Sequence, residues 1–157
     1  MRAVRHFGIV VSDMGRALRF YRDLLGLTVV RVMDEFGEHI DNMLSLRNVR
    51  VSTVKLSADD GSALVELLEF KSHHDDRTAK RDLYRTGPSH VAFTVDDLEA
   101  VCRRLSAAGV RCNAPPQLSP DGSVKVTFVR DPDNALVELV EVLKPTASRF
   151  PGASDQT

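Results

Sequence analysis

The apolar positions follow a strand pattern and then a helix pattern, and this succession occurs twice along the chain. Five mostly apolar residues typical of a β-strand come after His6, and five more come after His90. Apolar residues at helical spacing follow each strand; they are Met14, Ala17, Leu18, Tyr21 and Leu25 in the first half and Leu98, Val101, Cys102, Leu105 and Ala108 in the second. Each half therefore predicts a strand followed by a helix.

Both predicted helices lie between residues that commonly begin and end helices. Asp13 precedes the first helix and Gly26 follows it, while Asp96 or Asp97 precedes the second and Gly109 follows it. An Asp side chain can accept hydrogen bonds from the N–H groups of a first turn, and Gly adopts the left-handed conformation that ends many helices. These residues set the predicted first and last turns of the two helices.

The last strand of each half is nearly the same sequence. Segments 63–69 and 135–141 differ only in Leu68 against Val140, and each follows a turn rich in Asp. In the second turn Asn134 can take the left-handed conformation that Gly would otherwise supply. With the short apolar runs between helix and final strand, each half predicts a strand, a helix and about three further strands, an α+β arrangement.

The repeat predicts the organisation of the chain. We expect one domain over residues 1–143, made of two modules at about 4–70 and 88–143 that are joined by a polar linker at 71–87. The first module is longer, with its extra residues at about 34–50. The tail, 144–157, contains Pro, Gly and polar residues and is expected to be loosely ordered.

Composition places the chain among ordinary globular proteins. Its 157 residues include 21 basic and 22 acidic side chains, and a net charge of −1 argues against nucleic acid or an anionic membrane as the main partner. The two cysteines exclude a scaffold of several disulfides, and no stretch approaches the roughly 20 apolar residues of a membrane span. A cytoplasmic protein with a small-molecule partner is the expectation.

A His at the start of the first strand and a Glu on the last strand occur in both repeats. Because side chains alternate along a strand, Glu66 shares a face with apolar neighbours, as does Glu138. A carboxylate on an apolar face is costly unless it is paired or binds a cation. A single strand Glu usually faces solvent and a single His is usually structural, but two matched pairs favour a functional site.

The chain resembles the vicinal oxygen chelate superfamily over roughly residues 4 to 143. This superfamily includes glyoxalase I, methylmalonyl-CoA epimerase, extradiol dioxygenases, fosfomycin-resistance proteins and bleomycin-binding proteins. The resemblance is carried by His6, Val11 to Met14, Phe20-Tyr21, Leu25 to Leu27, Val65 to Leu67, Ser89 to Phe93, Val95 to Asp97, Gly109, Arg130 to Asp133 and Val137 to Leu139.

The resemblance implies two tandem βαβββ modules that form a curled mixed β-sheet around a central metal-binding cleft. Carried over to this chain, the metal ligands are His6, Glu66, His90 and Glu138, with Glu138 and Glu66 as candidate catalytic bases. This mixed N/O set suits one divalent ion, Zn, Ni, Co, Mn or Fe(II). The resemblance also implies a homodimer, since many relatives complete their clefts across two chains.

The implied function is metal-assisted proton transfer next to a carbonyl of a small oxygenated substrate, by a lyase or isomerase of the glyoxalase or epimerase type. Glyoxalase I usually has an Arg four residues after its first His, where this chain has Val10, and epimerases usually have Gln in place of Glu66. An extradiol-type dioxygenase and a metal-free drug- or ligand-binding protein of the bleomycin-resistance type are the alternatives.

Overall fold

Two four-stranded sheets form the fold, one from each half of the sequence. The computed structural model describes residues 4–58, 64–74, 84 and 86–143; the predicted tail, the turn at 59–61 and most of the predicted linker lie outside them. The elements are β1 (His6–Val10), α1 (Met14–Leu18) with a π-helical continuation (Arg19–Leu24), β2 (Thr28–Phe36), α2 (Glu38–Leu44), β3 (Arg50–Ser57), β4 (Leu64–Phe70), β5 (His90–Thr94), α3 (Leu98–Ala107), β6 (Gln117–Leu118), β7 (Val124–Arg130) and β8 (Leu136–Val142).

The first sheet has the strand order β1-β4-β3-β2. β1 runs parallel to β4, whereas the β4/β3 and β3/β2 pairs are antiparallel. Strands β3 and β4 each place apolar side chains on one face, where Val54, Leu56, Val65 and Leu67 are all buried. Alternation along these strands leaves Lys55 and Glu66 on the opposite face.

The first helix begins where the sequence predicts. The side chain of Asp13 accepts a hydrogen bond from the Arg16 N–H at 2.7 Å, and Gly26 ends the helical segment with a φ of 86°. Between them the chain widens into a π-helix, in which Leu25 N–H donates to the Phe20 carbonyl five residues earlier. Both Phe20 and Tyr21 are therefore buried, although helical spacing alone predicts only Tyr21 as a core residue.

A short helix, α2, occupies the predicted insertion of the first half. Its Ile40 packs in a buried cluster with Val49 and Val51. The Asp41 carboxylate accepts hydrogen bonds from the N–H groups of Asn48 and Val49, which ties the loop after the helix back to it. The insertion is thus a folded cap over one end of the sheet, and the sequence pattern did not predict this helix.

The second sheet has the order β5-β8-β7-β6, so it repeats the arrangement of the first. Asp97, one of the two predicted caps, accepts from the Ala100 N–H at 2.8 Å at the start of α3. Cys102 of this helix is half-buried, and its Sγ lies 3.2 Å from the Sγ of Cys112. Burial and this contact raise the pKa of the Cys102 thiol to about 12.

The chain divides into two compact units. The first comprises 1–91 with 130–136, and the second comprises 92–129 with 137–157. The predicted module boundaries, about 4–70 and 88–143, stay a prediction. None of the helices in the described part of the chain has the length and apolar character that crossing a membrane requires.

Candidate functional site

Four strands bring polar side chains to one face of the first sheet. Glu66 of β4 lies directly opposite Gly8 of β1 on one side and Lys55 of β3 on the other. Lys55 in turn lies opposite Arg31 of β2. Residues directly opposite each other on neighbouring strands share a face, and His6 shares the face of Gly8 because it is two residues away.

His6 and Glu66 are brought into contact. The His6 Nε2 lies 3.0 Å from the Glu66 Oε2, and the two side chains are 33% and 12% exposed. The other ring nitrogen of His6, Nδ1, is buried and has no hydrogen-bond partner among the described residues. The two side chains are thus in direct contact, and their role as metal ligands stays a prediction.

This pair can serve as half of a metal site. Two ligand atoms about 2.1 Å from one tetrahedral ion would be about 3.4 Å apart, close to the observed separation of 3.0 Å. Imidazole nitrogen and carboxylate oxygen together form a donor set that suits borderline divalent ions. The residues present on this face thus fit a divalent metal.

Lys55 is the residue that the sequence interpretation missed. Its Nζ lies 3.2 Å from the Glu66 Oε1, and its side chain is only 16% exposed. Both oxygens of Glu66 are therefore engaged, one by His6 and the other by Lys55. The signal was available in the sequence, because Lys55 is a charged side chain set within the alternating apolar pattern of a strand.

The other two predicted ligands are carried by neighbouring strands of the second sheet. His90 begins β5 and is exposed, with its Nδ1 2.7 Å from the Ser89 Oγ. Glu138 is half-buried on β8, which lies next to β5 as β4 lies next to β1. Their arrangement around an ion with His6 and Glu66 stays a prediction.

A group of three carboxylates lies elsewhere, in the second unit. Asp97, Glu99 and Glu141 offer oxygens within 4.8 Å of one another. However, the Lys125 Nζ lies 2.8 Å from Glu99 and 3.8 Å from Glu141, and this contact lowers the pKa of Glu99. Glu141 also accepts from the Leu98 N–H at 3.0 Å. These carboxylates pair with a lysine and cap α3, so they are accounted for without an ion.

The turn before β8 is held by a buried carboxylate. Asp131 accepts hydrogen bonds from the N–H groups of Asp133 and Ala135 and, through its other oxygen, from the Tyr21 hydroxyl at 2.9 Å. Burial raises the pKa of Asp131, and burial together with this carboxylate raises the pKa of Tyr21 well above its usual range. Asn134 takes the left-handed conformation expected of it, with a φ of 66°. These residues order the turn.

Comparison with known proteins supports both the fold and the family. The family model described as Glyoxalase/Bleomycin resistance protein/Dioxygenase superfamily matches residues 3–139. A probable lactoylglutathione lyase of Synechocystis is 28% identical over 137 residues, 87% of this chain and 92% of that protein. A lactoylglutathione lyase of Haemophilus influenzae is 25% identical over 138 residues, 88% of this chain and 91% of that protein.

Solved structures show the same fold. A glyoxalase family protein from Bacillus cereus has a TM-score of 0.81 at 24% identity and covers 92% of this chain and 96% of its own. A glyoxalase I from Leishmania major has a TM-score of 0.61 at 22% identity, with 90% of this chain and 87% of its own covered. The predicted α+β class with tandem βαβββ modules is confirmed. The chain belongs to the Glyoxalase/Bleomycin resistance protein/Dioxygenase superfamily.

Proposed function

We propose that this chain is a divalent-metal-dependent lyase or isomerase that moves a proton next to a carbonyl of a small oxygenated substrate. The observation that carries the proposal is the contact of 3.0 Å between the His6 Nε2 and the Glu66 Oε2 on one face of the first sheet. The relatives named lactoylglutathione lyase, at 25% to 28% identity, favour an enzyme of the lyase type.

The proposed ligands are His6, Glu66, His90 and Glu138, whose two carboxylates would balance the charge of a divalent ion. When bound, the ion would act as a Lewis acid that polarises the substrate carbonyl and stabilises the negative charge that develops on its oxygen. The metal identity is open among Zn, Ni, Co, Mn and Fe(II).

The two glutamates have different proposed roles. Glu66 contacts His6, the other proposed ligand of the first sheet, at 3.0 Å, and this contact suits a ligand role. Glu138 is the first candidate for the general base that moves the substrate proton, with Glu66 as the second. A proton transfer of this kind needs a carboxylate oxygen within hydrogen-bond reach of the substrate carbon.

The substrate is proposed to be something other than a glutathione adduct. Val10, where glyoxalase I usually has an arginine, lies on the His6 face of β1 and is 64% exposed. An exposed valine offers no charge to a glutathione carboxylate at this position. Turnover of the hemithioacetal of methylglyoxal and glutathione at a rate typical of an efficient enzyme would contradict this part of the proposal.

A metal-free ligand-binding protein is the second candidate function. The observation in its favour is the Lys55 ammonium, which already neutralises Glu66 at 3.2 Å without any ion. In that case the same face would bind a small molecule and catalyse nothing. Metal content separates the two candidates.

The test is the metal content and metal response of the purified protein. We expect about one divalent ion per chain in protein prepared without chelator, and a rise in Tm when Zn, Ni, Co, Mn or Fe(II) is added to stripped protein. Glu66→Gln and Glu138→Gln should each weaken this response or abolish turnover. Glu69→Gln is the matched control, because Glu69 lies three residues along β4 on the other face and pairs with Lys71.

Absence of metal from the protein, with no effect of added ions on its Tm, would overturn the metal-dependent function and favour the binding protein. Unchanged metal affinity and activity in both glutamine variants would instead overturn the ligand assignment.

A further inference from the structure

Two positive side chains lie directly opposite each other on the face that carries Glu66. Arg31 of β2 is paired in register with Lys55 of β3, which is paired in register with Glu66 of β4. Like charges at directly opposed positions of a sheet are destabilising. Glu66 offsets the charge of Lys55 at 3.2 Å, whereas Arg31 is exposed and forms no ion pair that the described residues show.

A β-bulge is what places Arg31 on this face. Val29 lies opposite the buried Leu56, and the register then shifts so that Arg31, and not Val30, lies opposite Lys55. Without the extra residue, the exposed side chain of Val30 would face the site and Arg31 would lie on the other side. The irregularity of β2 therefore exchanges an apolar side chain for a cation opposite Lys55.

A metal ion would change the charge balance among Arg31, Lys55 and Glu66. The Lys55 ammonium and a divalent ion compete for the same carboxylate, that of Glu66. Once the carboxylate binds an ion, Lys55 loses the partner that offsets its charge, and two cations face the site together. A guanidinium and an ammonium side by side suit the two oxygens of a carboxylate.

We propose that Arg31 and Lys55 form an anion subsite that holds a carboxylate group of the substrate next to the metal. This inference rests on the proposed function, because a bound ion is what releases Lys55 from Glu66. It assigns the substrate class as an oxygenated small molecule with a carboxylate at its far end. Arg31 and Lys55 bind and orient this substrate, and neither takes part in the proton transfer.

The test compares succinate with butanoate, which has the same chain length and one carboxylate fewer. Binding of each to the Zn-loaded protein is measured by isothermal titration calorimetry. We expect succinate to bind about tenfold or more tightly than butanoate, the size of effect that a charge-assisted contact produces. Arg31→Met and Lys55→Met should each bring this preference close to unity, whereas Lys55→Arg should keep most of it.

Lys71→Met is the matched control, because it removes one positive charge just after β4 from a side chain that pairs with Glu69 and not with Glu66. It should leave the preference for succinate unchanged. If Lys71→Met lost the preference for succinate as fully as Arg31→Met and Lys55→Met, the effect would be one of general charge, and the subsite would be overturned.

Zinc affinity, measured by competition with a chelator, is the readout that does not depend on the anion. Lys55→Met should leave it unchanged or increase it, since a competing ammonium is removed. Weaker zinc binding in this variant would overturn the assignment and make Lys55 a support for Glu66. Normal zinc binding with no succinate preference would overturn the subsite alone, whereas failure of the wild-type protein to bind zinc would overturn both the subsite and the proposed function.

Discussion

Tyr21 and Asp131 form a buried polar contact within the first unit. The hydroxyl donates to the carboxylate at 2.9 Å, and the exposed fractions of the two residues are 0% and 4%. A buried carboxylate left with fewer donors costs more than the lost hydrogen bond alone, because it has also lost water. The same carboxylate orders the turn that leads into β8.

Replacing Tyr21 with Phe should lower the free energy of unfolding by about 1 to 3 kcal/mol. The ring stays and fills its space, so the loss reports the hydrogen bond to Asp131. Urea denaturation followed by circular dichroism measures it. Tyr84→Phe is the control, since Tyr84 is 88% exposed, and an equal effect in both variants would contradict the explanation.

The same tyrosine predicts a loss of stability at alkaline pH. The pKa of Tyr21 is raised well above 10.0 in the folded protein, first by burial and then by the charge of Asp131. Its phenol is therefore protonated when folded, and gives up its proton on unfolding once the pH exceeds about 10. The free energy of unfolding should fall as the pH rises above about 10, by up to about 1.4 kcal/mol per pH unit.

Denaturation curves from pH 8 to 10.5 would show this fall in the Tyr84→Phe variant, which keeps Tyr21 as its only tyrosine. The fall should be smaller in Tyr21→Phe. Equal pH dependence in the two variants would mean that another group causes it.

At the scale of the elements, helix starts and turns follow from local sequence, and two irregularities do not. Asp13 caps its helix as predicted, and Asp97 is the cap of α3 out of the two candidates Asp96 and Asp97. A short acidic side chain reaches the N–H groups of the first turn without help from other elements. The π-helix at Arg19–Leu24 and the bulge in β2 depend on what the helix and strand pack against. Each irregularity changes which side chains face inward. The spacing of apolar residues along the chain does not predict either one.

Removing the cap of α3 gives a prediction at this scale. Asp97→Ala should lower the free energy of unfolding by about 0.5 to 2 kcal/mol, since the Ala100 N–H loses its acceptor. Asp96→Ala should have little effect, because the neighbouring carboxylate is not the cap. Thermal denaturation of both variants measures the difference, and equal destabilisation would contradict the role of Asp97.

At the scale of the whole molecule, the repeat in the sequence becomes two sheets of the same strand order. In each sheet the strand that begins with His lies next to the strand that carries Glu. The matching residues 64–69 and 136–141 thus lie on corresponding strands of the two sheets. This arrangement is the basis for treating His90 and Glu138 as the counterparts of His6 and Glu66.

The assembly is predicted from the resemblance to relatives that complete their clefts across two chains. We expect a homodimer of about 35 kDa, twice the chain mass of 17.4 kDa. Size-exclusion chromatography with light scattering measures this mass directly. A mass near 17 kDa that does not change with protein concentration would reject the dimer.

The sequence alone determined the repeat, the order of most elements and the helix starts. These properties depend on short-range chemistry or on the two-residue alternation of strands, which can be read from neighbouring positions. The tertiary structure decided the position of Lys55 against Glu66, the bulge that turns Arg31 to the same face, and the contact of Tyr21 with Asp131. Each of these joins residues far apart in the chain, and strand register and packing, which no single segment encodes, bring them together.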